Sequence, residues 1–314
     1  MTKNKYLIFS GSSNLPLAKK IVGSLKKELG RSSLGVFSDG EIRFQSWENV
    51  RGADVFVIQS FTKDINFHIM ELLLMCDAFK RASAKRITAV IPYYAYARQD
   101  RKDRPRVPIS AKLIADLLET SGFSRILAID LHANQIQGFF NIPVDNLMAL
   151  PIFAAHFKKM KLKDLVIVSP DAGGVERARI FAQKLKAGLA IADKRRAEAN
   201  VAEIMHIIGD VKNKNAIIVD DIVDTAGTMT ETVKALKKNG AKKIFAACTH
   251  GILSGRAIEK LEDSPIEKLF ITDTIPYREE YAESSKIGTL SVANLFSQAI
   301  SSIYKETSVS KLFK

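Results

Sequence analysis

The sequence predicts an α/β protein built from two doubly wound parallel-sheet domains. Short apolar stretches of strand character alternate with helix-like stretches along nearly all of the 314 residues. In both halves the apolar stretches lead into loops that carry acidic residues or glycine, which is where open parallel sheets bind ligands. A chain of this length is also long enough to give each of two domains its own core.

Four predicted strands, each followed by a helix, occupy the first half of the chain. The strands are short apolar runs, and the longest helix repeats its apolar residues at helical spacing. Ser110 is expected to cap the third helix. In chain order the pairs are Tyr6–Phe9 with Pro16–Leu29, Asp54–Ile58 with Asn66–Ala82, Ile87–Ile91 with Ser110–Ser121, and Ile126–Asp130 with a short helix near Asn134–Gly138.

The same alternation continues in the second half. Gly240 lies just past one helix as a C-terminal stop, and Thr228 with Glu231 is expected to form a capping box at its start. In chain order the pairs are Leu165–Ser169 with Gly174–Leu185, Ala190–Asp193 with a polar stretch, Ala216–Val219 with Met229–Lys238, Ile244–Thr249 with Arg256–Leu261, and Leu269–Thr272 with a last segment that ends in the helix Val292–Tyr304.

The two halves meet near Pro143–Pro151, a segment that reads IPVDNLMALP. We therefore expect an N-terminal domain of residues 1–147 and a C-terminal domain of residues 148–314. The last residues of the chain are expected to pack back on the first domain. An unmistakable sequence repeat is absent, but both halves share the scheme of a strand followed by an acidic loop.

Composition excludes several classes of protein. No apolar run approaches the roughly 20 residues that a membrane span needs, and the short apolar stretch at the N-terminus reads as the first strand rather than a signal peptide. Cys76 and Cys248 lie in separate apolar segments without metal-ligand spacing, so we expect reduced core cysteines and a cytoplasmic protein. The net charge of +13 is dispersed, so it indicates a solvated surface, or a field that collects anionic substrates, rather than a nucleic-acid interface.

The segment Ile217–Thr228, which reads IIVDDIVDTAGT, carries the strongest chemical signal. Asp220 and Asp221 follow an apolar strand, and the small residues of Asp224–Thr228 form a turn before a helix. Backbone N–H groups of such a turn can bind a phosphate, while the paired carboxylates suit sugar hydroxyls or a divalent cation. The segment therefore indicates a sugar-phosphate site, the alternative being a surface turn with incidental acids.

Two more loops follow predicted strands. Asp171–Gly174 is a second glycine turn that opens a helix, where a pyrophosphate or sugar phosphate would fit; the alternative is a simple tight turn. In the other loop, Asp130 and His132 are two residues apart and able to ligate a cation bound to phosphates. His132 is the one histidine of five that the pattern singles out, because the others lie in helix-like or strand-like patterns or lack a charged neighbour.

Two irregular stretches combine dense charge with features of a substrate site. Pro92–Arg106 places tyrosines beside arginines, whose guanidinium groups can stack on a base or hold phosphates. Asp193–Asn200 carries Lys194 and Arg196, which could close over substrates and stabilise charge that develops during a phosphoryl-type transfer. The alternative for both stretches is an exposed, solvated turn.

Together these segments resemble the ribose-phosphate diphosphokinases, also called phosphoribosyl pyrophosphate synthetases, of the phosphate-activated and ADP-inhibited type. The resemblance spans essentially the whole chain and implies two domains of phosphoribosyltransferase-like type. Its motifs are SGSSN (Ser10–Asn14), FSDGE (Phe37–Glu41), YYAYARQD (Tyr93–Asp100), DLHANQIQGFF (Asp130–Phe140), PDAGG (Pro170–Gly174), DKRR (Asp193–Arg196), DDIVDTAGT (Asp220–Thr228) and SVSKLF (Ser308–Phe313).

The resemblance implies transfer of the β,γ-diphosphoryl group of ATP to the anomeric hydroxyl of ribose 5-phosphate, with release of AMP. The product would be 5-phosphoribosyl 1-diphosphate, used for nucleotide, histidine and tryptophan biosynthesis. It implies catalytic roles for Lys194 and Arg196 and Mg²⁺ binding by His132 and Asp171. It implies ATP contacts with Phe37, Asp39, Gly40, Glu41, Arg98, Gln99, Asp103 and His132, and ribose 5-phosphate contacts with Asp220, Asp221, Asp224, Thr225, Ala226, Gly227 and Thr228.

The resemblance also implies a homo-oligomer, a hexamer built from dimers, in which Phe37–Glu41 completes a neighbouring ATP site. Inorganic phosphate and ADP are the implied effectors, with Arg51, Ser308 and Ser310 as contacts. Two other interpretations stay open at this point. A phosphoribosyltransferase would use the same sugar-phosphate loop on a base, and a catalytically silent relative would serve as a regulatory protein.

Overall fold

The computed structural model describes residues 6–195, 204–281 and 284–313. These residues form two compact units. The first contains the described residues up to Met148, the short segment Thr274–Pro276 and the residues from Ser291 onward. The second contains Ala149–Asp273 and Tyr277–Leu290. The C-terminal helix is therefore part of the first unit.

The first unit holds seven strands and four α-helices. Its strands are β1 (Tyr6–Ser10), β2 (Ser32–Val36), β3 (Ile42–Ser46), β4 (Asp54–Ile58), β5 (Arg86–Ile91), β6 (Arg125–Ile129) and β7 (Val144–Leu147). Its α-helices are α1 (Leu15–Ser24), α2 (Ile65–Arg81), α3 (Ser110–Ser121) and, late in the chain, α8 (Ala293–Tyr304), with 3₁₀ helices at Asn134–Phe139 and Val309–Phe313.

A parallel five-stranded sheet in the order β1-β4-β5-β6-β7 forms the centre of this unit. All five residues of β4 are buried, as expected for a strand covered on both faces. Helix α1 packs on α8, and α2 packs on α3. Strands β2 and β3 stand apart as an antiparallel hairpin against α2.

Among its described residues, the second unit has seven strands and four α-helices, and three of these helices connect parallel strands of its sheet. Its strands are β8 (Leu165–Ser169), β9 (Gly188–Arg195), β10 (Ile204–Ile208), β11 (Asn215–Val223), β12 (Ile244–Gly251), β13 (Lys268–Thr272) and β14 (Ile287–Leu290). Its α-helices are α4 (Leu150–Lys159), α5 (Val175–Leu185), α6 (Gly227–Lys238) and α7 (Ala257–Glu262), with a 3₁₀ turn at Glu279–Tyr281.

These strands form one sheet in the order β10-β9-β8-β11-β12-β13-β14. The chain enters at β8, moves outward through β9 to the antiparallel edge strand β10, and returns to β11 on the other side of β8. The strand order therefore reverses between β8 and β11. In an open α/β sheet the carboxyl ends at such a reversal frame a ligand crevice.

The predicted α/β class of two parallel-sheet domains is confirmed, whereas several local expectations are wrong. Ser110 does not cap α3: the N-cap residue is Ile109, and the Ser110 hydroxyl donates to Oε1 of Gln99. The hairpin β2–β3, the strands β7, β10 and β14, and helix α4 were missed. Helix α4 begins at Leu150 inside the segment interpreted as a domain junction, because Pro151 is tolerated in the first helical turn. Within the described ranges, no helix has both the length and the apolar character to cross a membrane.

Candidate active site

The acid pair Asp220 and Asp221 lies inside β11 rather than beyond its end. The sequence predicted a strand that stops at Val219, but β11 continues to Val223 because its later residues pair with β12. Its pairing with β8 stops at Ile218. The two carboxylates therefore lie where β11 extends past β8, on the carboxyl side of the reversal in strand order.

Arg177 provides positive charge beside this pair. It lies in the first turn of α5, and its Nη1 atom is 3.1 Å from Oδ1 of Asp221 and 3.6 Å from Oδ1 of Asp220. Burial and the neighbouring carboxylate of Asp221 raise the pKa of Asp220 well above its ordinary value, while Arg177 opposes that rise. Asp171 adds a smaller upward effect on this pKa.

Sequence reasoning missed Arg177. The available signal was its position three residues after Gly174, the last glycine of the Asp171–Gly174 turn. A side chain in the first turn of a helix that leaves the switch-point strand β8 is well placed to meet the carboxyl end of the next strand. The sequence did not say which acid it would meet, because that depends on β8 and β11 being neighbours.

The loop Asp224–Thr228 joins β11 to α6 through one residue whose backbone is in the left-handed conformation. Ala226 has φ +57° and is the N-cap residue, so α6 begins at Gly227. The expected capping box is therefore wrong: Thr228 is the second residue of the helix and not its cap, and no side chain caps this end. Thr225 and Thr228 are exposed and Asp224 is half-buried. The loop thus offers hydroxyls and the N–H groups of a helix start to an anionic ligand.

The Asp171–Gly174 turn follows β8 directly and is held by its own side chains. The N–H of Gly174 donates to Oδ1 of Asp171 at 2.8 Å, and the Ser169 hydroxyl donates to the Asp171 carbonyl at 2.7 Å. A Cβ atom on Gly174 would come within 2.8 Å of the Ser169 hydroxyl, so this position favours glycine. Asp171 itself is exposed. The turn therefore presents a carboxylate to solvent at the same switch point.

Lys194 lies near the end of β9, the neighbour of β8 on the opposite side from β11. Its backbone pairs with Met205 of β10. The strand continues to Arg195, two residues beyond the predicted end at Asp193. Arg196, the second predicted catalytic cation, lies outside the described residues.

In the first unit, Phe37–Glu41 forms the turn of the β2–β3 hairpin. The N–H of Phe37 donates to the Glu41 carbonyl at 2.7 Å, and the N–H of Glu41 donates to Oδ1 of Asp39 at 3.0 Å. Gly40 has φ +96°, a conformation that favours glycine. The Phe37 side chain is 53% exposed. An aromatic ring held in solvent by an ordered turn is available to stack on a ligand or on another chain.

Arg98, Gln99, Asp103 and His132 are all exposed in loops at the carboxyl ends of the adjacent strands β5 and β6. Gln99 is anchored by Ser110 through its side chain and by the Ala111 N–H through its carbonyl. Two of the tyrosines in this segment are not exposed: Tyr93 and Tyr94 are buried, and the Tyr94 hydroxyl donates to the Ala111 carbonyl at 3.0 Å. They support the loop instead of facing a ligand.

Ser308 and Ser310 line a cavity of about 630 Å³ in the first unit. Arg86 and Arg125 also line it, and each pairs with an aspartate: Arg86 with Asp54, and Arg125 with Asp145 at 2.6 Å. Arg51 is not among the described residues that line this cavity. The cavity combines hydroxyls and guanidinium groups with the carboxylates of Asp54, Asp145 and Glu306.

Comparisons with known proteins agree on one family. A family model described as the N-terminal domain of ribose phosphate pyrophosphokinase matches residues 6–122, and one described as the phosphoribosyl synthetase-associated domain matches residues 197–314. The ribose-phosphate pyrophosphokinase of Caldanaerobacter subterraneus subsp. tengcongensis is 57% identical over 311 residues, covering 99% of this chain and 98% of the relative. That of Bacillus caldolyticus is 55% identical over 306 residues, covering 98% and 97%.

A solved structure agrees with the sequence comparison. The crystal structure of phosphoribosylpyrophosphate synthetase from Mycobacterium smegmatis superposes with a TM-score of 0.91 at 39% identity. The match covers 97% of this chain and 100% of that chain.

Proposed function

Because this chain belongs to the ribose-phosphate pyrophosphokinase family, we propose which of its residues carry the family's reaction. The protein is an enzyme that transfers the β,γ-diphosphoryl group of ATP to the anomeric hydroxyl of ribose 5-phosphate and releases AMP. The residue assignment is supported above all by one observation in the second unit. The acid pair lies where β11 extends past β8, the loop Asp224–Thr228 follows β11, and the Asp171 turn follows β8, and the strand order reverses between these two strands.

Ribose 5-phosphate is assigned to the carboxyl end of β11. The N–H groups at the start of α6 and the hydroxyls of Thr225 and Thr228 bind its 5-phosphate, with Asp224, Ala226 and Gly227 shaping that loop. Asp220 and Asp221 accept hydrogen bonds from the ribose hydroxyls, which orients the anomeric oxygen for attack. Arg177 offsets the repulsion between the two carboxylates. Orientation of this kind supplies much of the rate when no covalent intermediate is needed.

ATP is assigned to the exposed loops of the first unit. Arg98, Gln99, Asp103 and His132 contact the nucleotide at the carboxyl ends of β5 and β6. Phe37, Asp39, Gly40 and Glu41 complete the adenine site of a neighbouring subunit. This second assignment is supported by the exposed Phe37 ring at the tip of the hairpin, and it requires a homo-oligomer, for which we propose a hexamer.

Lys194 and Arg196 are assigned to the transition state. In-line attack at the central phosphorus develops negative charge on the oxygens of the transferred group and on the leaving AMP. Two cations two residues apart stabilise this charge, and they also exclude water if their segment closes over the substrates. The position of Lys194 at the end of β9, next to β8, supports the assignment.

The donor set is suited to Mg²⁺. In the described parts of the chain, no three His, Cys, Asp or Glu side chains form a cluster that could hold a metal ion alone. Mg²⁺ is usually held by one or two carboxylates together with substrate phosphates and water. Asp171 is the proposed ligand in the second unit, and His132 contacts the metal or its waters in the first. When bound, Mg²⁺ neutralises charge on the polyphosphate.

The remaining assignments concern regulation and organisation. Inorganic phosphate and ADP are proposed effectors at the cavity lined by Ser308 and Ser310, with Arg51 contributing from a different subunit. We propose a cytoplasmic enzyme. The proposed domains are residues 1–147 and 148–314, except that the segment Thr274–Pro276 and the residues from Ser291 onward belong to the first unit.

Release of AMP from ATP tests the function directly. The purified protein is incubated with Mg²⁺ and phosphate, with and without ribose 5-phosphate. We expect AMP only with the sugar phosphate, in equal amount to 5-phosphoribosyl 1-diphosphate. If a folded oligomer binds ATP but releases no AMP, a regulatory protein or a base-dependent transferase becomes the better assignment. A scan of bases with preformed 5-phosphoribosyl 1-diphosphate separates those two.

A further inference from the structure

The loop after β12 makes hydrogen bonds to the end of β11 and to Asp224, the first residue of the loop Asp224–Thr228. We call residues Ile252–Gly255 the support loop. The N–H groups of Ile252 and Leu253 both donate to the carbonyl of Val223, at 2.9 and 3.1 Å. The N–H of Ser254 donates to the carbonyl of Asp224 at 2.9 Å, and its hydroxyl donates to Oδ1 of Asp224. Asp224 is thus held at its backbone and at its side chain by one residue.

The support loop is itself held by Arg278. One Nη atom of Arg278 donates to the carbonyls of both Ile252 and Leu253, the latter at 2.8 Å. Its Nε donates at 2.8 Å to the hydroxyl of Tyr281, a residue that is only 2% exposed. Arg278 is therefore fixed in place while it binds two consecutive carbonyls.

The support loop needs such a restraint because of its backbone. Leu253 has φ +50°, a left-handed conformation that is uncommon for a residue other than glycine, and it is buried. A conformation of this kind persists only when the surroundings hold it. The Arg278 hydrogen bonds to the carbonyls of Ile252 and Leu253 provide that restraint, and Ser254 is the next residue along the chain.

We propose that Ser254 is a positioning residue for ribose 5-phosphate, and that Arg278 holds it in place. The inference rests on the proposed function, because it requires that Asp224 belongs to the ribose 5-phosphate loop. By donating to Oδ1, the Ser254 hydroxyl fixes the rotation of the Asp224 carboxylate, and its N–H fixes the first backbone carbonyl of the loop. A carboxylate and a phosphate loop that are ordered before the substrate arrives lose less freedom on binding.

The test compares Ser254→Ala with Ser254→Thr, which keeps the hydroxyl. A hydrogen bond to a charged group contributes on the order of a tenfold change in affinity, so Ser254→Ala should raise KM for ribose 5-phosphate about tenfold. KM for ATP should change less than about twofold. Ser254→Thr should recover most of the loss. Ser264→Ala is the matched control, because Ser264 is also in the second unit and donates one hydrogen bond, to the Leu261 carbonyl.

Arg278→Met tests the second half of the proposal. It should raise KM for ribose 5-phosphate in the same direction as Ser254→Ala. Arg256→Met is its matched control, because Arg256 is a nearby exposed arginine whose side chain pairs with Glu259 at 2.5 Å. An Arg278→Met enzyme with wild-type KM values would remove Arg278 from the network. A melting temperature measured for each variant separates a loss of folding from a loss of positioning.

A double variant shows whether Ser254 acts through Asp224. If it does, Asp224→Ala/Ser254→Ala should have the same KM for ribose 5-phosphate as Asp224→Ala alone, because coupled residues are not additive. Multiplying effects would overturn the proposal, as would equal losses for both substrates with a lowered melting temperature. If Asp224→Ala raises this KM and Ser254→Ala does not, only the inference about Ser254 fails. If Asp224→Ala leaves KM unchanged, the loop assignment itself is wrong.

Discussion

The Nη1 atom of Arg177 lies 3.1 Å from Oδ1 of Asp221. This contact ties the first turn of α5, the helix that follows β8, to the acid pair on β11. Asp221 is 3% exposed, and a carboxylate buried to that degree needs a partner. Arg177 therefore has a structural role and a role in the charge balance of the proposed sugar site.

Arg177→Met should weaken both stability and sugar binding. The substitution removes the cation beside the buried carboxylate of Asp221, which is unfavourable for that charge. Because the Arg177 side chain is itself partly exposed, we expect the free energy of unfolding to fall by roughly 1–3 kcal/mol. KM for ribose 5-phosphate should rise, and Arg177→Lys should retain part of the function. Urea unfolding and steady-state kinetics measure the two effects. Arg179→Met, on the exposed side of the same helix, is the control. Wild-type stability and KM in Arg177→Met would contradict the role.

Binding of ribose 5-phosphate should weaken as the pH falls. Burial and the charge of Asp221 raise the pKa of Asp220, so Asp220 takes up a proton at a higher pH than an ordinary aspartate. A protonated carboxyl is a poorer acceptor for a ribose hydroxyl. KM for ribose 5-phosphate should therefore rise as the pH falls through this raised pKa.

The same shift has the opposite sign for stability. The folded state binds this proton more tightly than the unfolded chain does, so the contribution of Asp220 to stability falls as pH rises.

The measurement that checks the effect on substrate binding is a pH profile of KM for each substrate in the wild type and in Asp220→Asn, which should lack the acid dependence. An identical acid limb in Asp220→Asn would assign the titration to another group.

Lys194→Ala should lower kcat far more than it affects ATP binding. By analogy with other cations that stabilise phosphoryl transfer, the loss should be about a thousandfold. Single-turnover kinetics and ATP titration separate the two quantities. Lys234→Ala, an exposed lysine on α6, is the control. A loss of kcat below roughly tenfold would remove Lys194 from the catalytic role.

Replacing Ser308 and Ser310 by alanine should weaken activation by inorganic phosphate. Loss of two hydroxyls that donate to one phosphate should raise the phosphate concentration needed for activation at least about tenfold. Activity measured against phosphate concentration, at saturating substrates, gives the shift, and Arg51→Ala should act in the same direction. Ser301→Ala on α8 is the control. An unaltered phosphate response in the Ser308 and Arg51 variants would argue against this effector site.

Neither cysteine should react with thiol reagents in the folded protein. Burial raises the pKa of Cys76 to about 11 and that of Cys248 well above its ordinary value, so both stay as thiols near pH 8. Titration with a disulfide reagent should detect no thiol before unfolding and both after it. A thiol that reacts rapidly in the native enzyme would show that its segment opens.

Much of the fold followed from local patterns. The bounds of β4 and β8 were predicted to the residue, because both are short apolar runs buried on both faces. The hairpin β2–β3 was missed because its strands are short and partly exposed, so they carry no apolar run. The end of β11 was misplaced for a related reason: Asp220 and Asp221 look like the end of a strand until β12 is known to pair with them.

The motifs of the chain alone identified the family and the proposed residues of the site, because loops that bind phosphate use a short, contiguous set of residue types. Only the tertiary structure decided which distant groups act on those loops. Arg177 meets Asp221 because β8 and β11 are neighbours. Ser254 meets Asp224 because β12 lies beside β11. Such partners depend on strand order, which brings together residues far apart in the chain and leaves no local pattern to read.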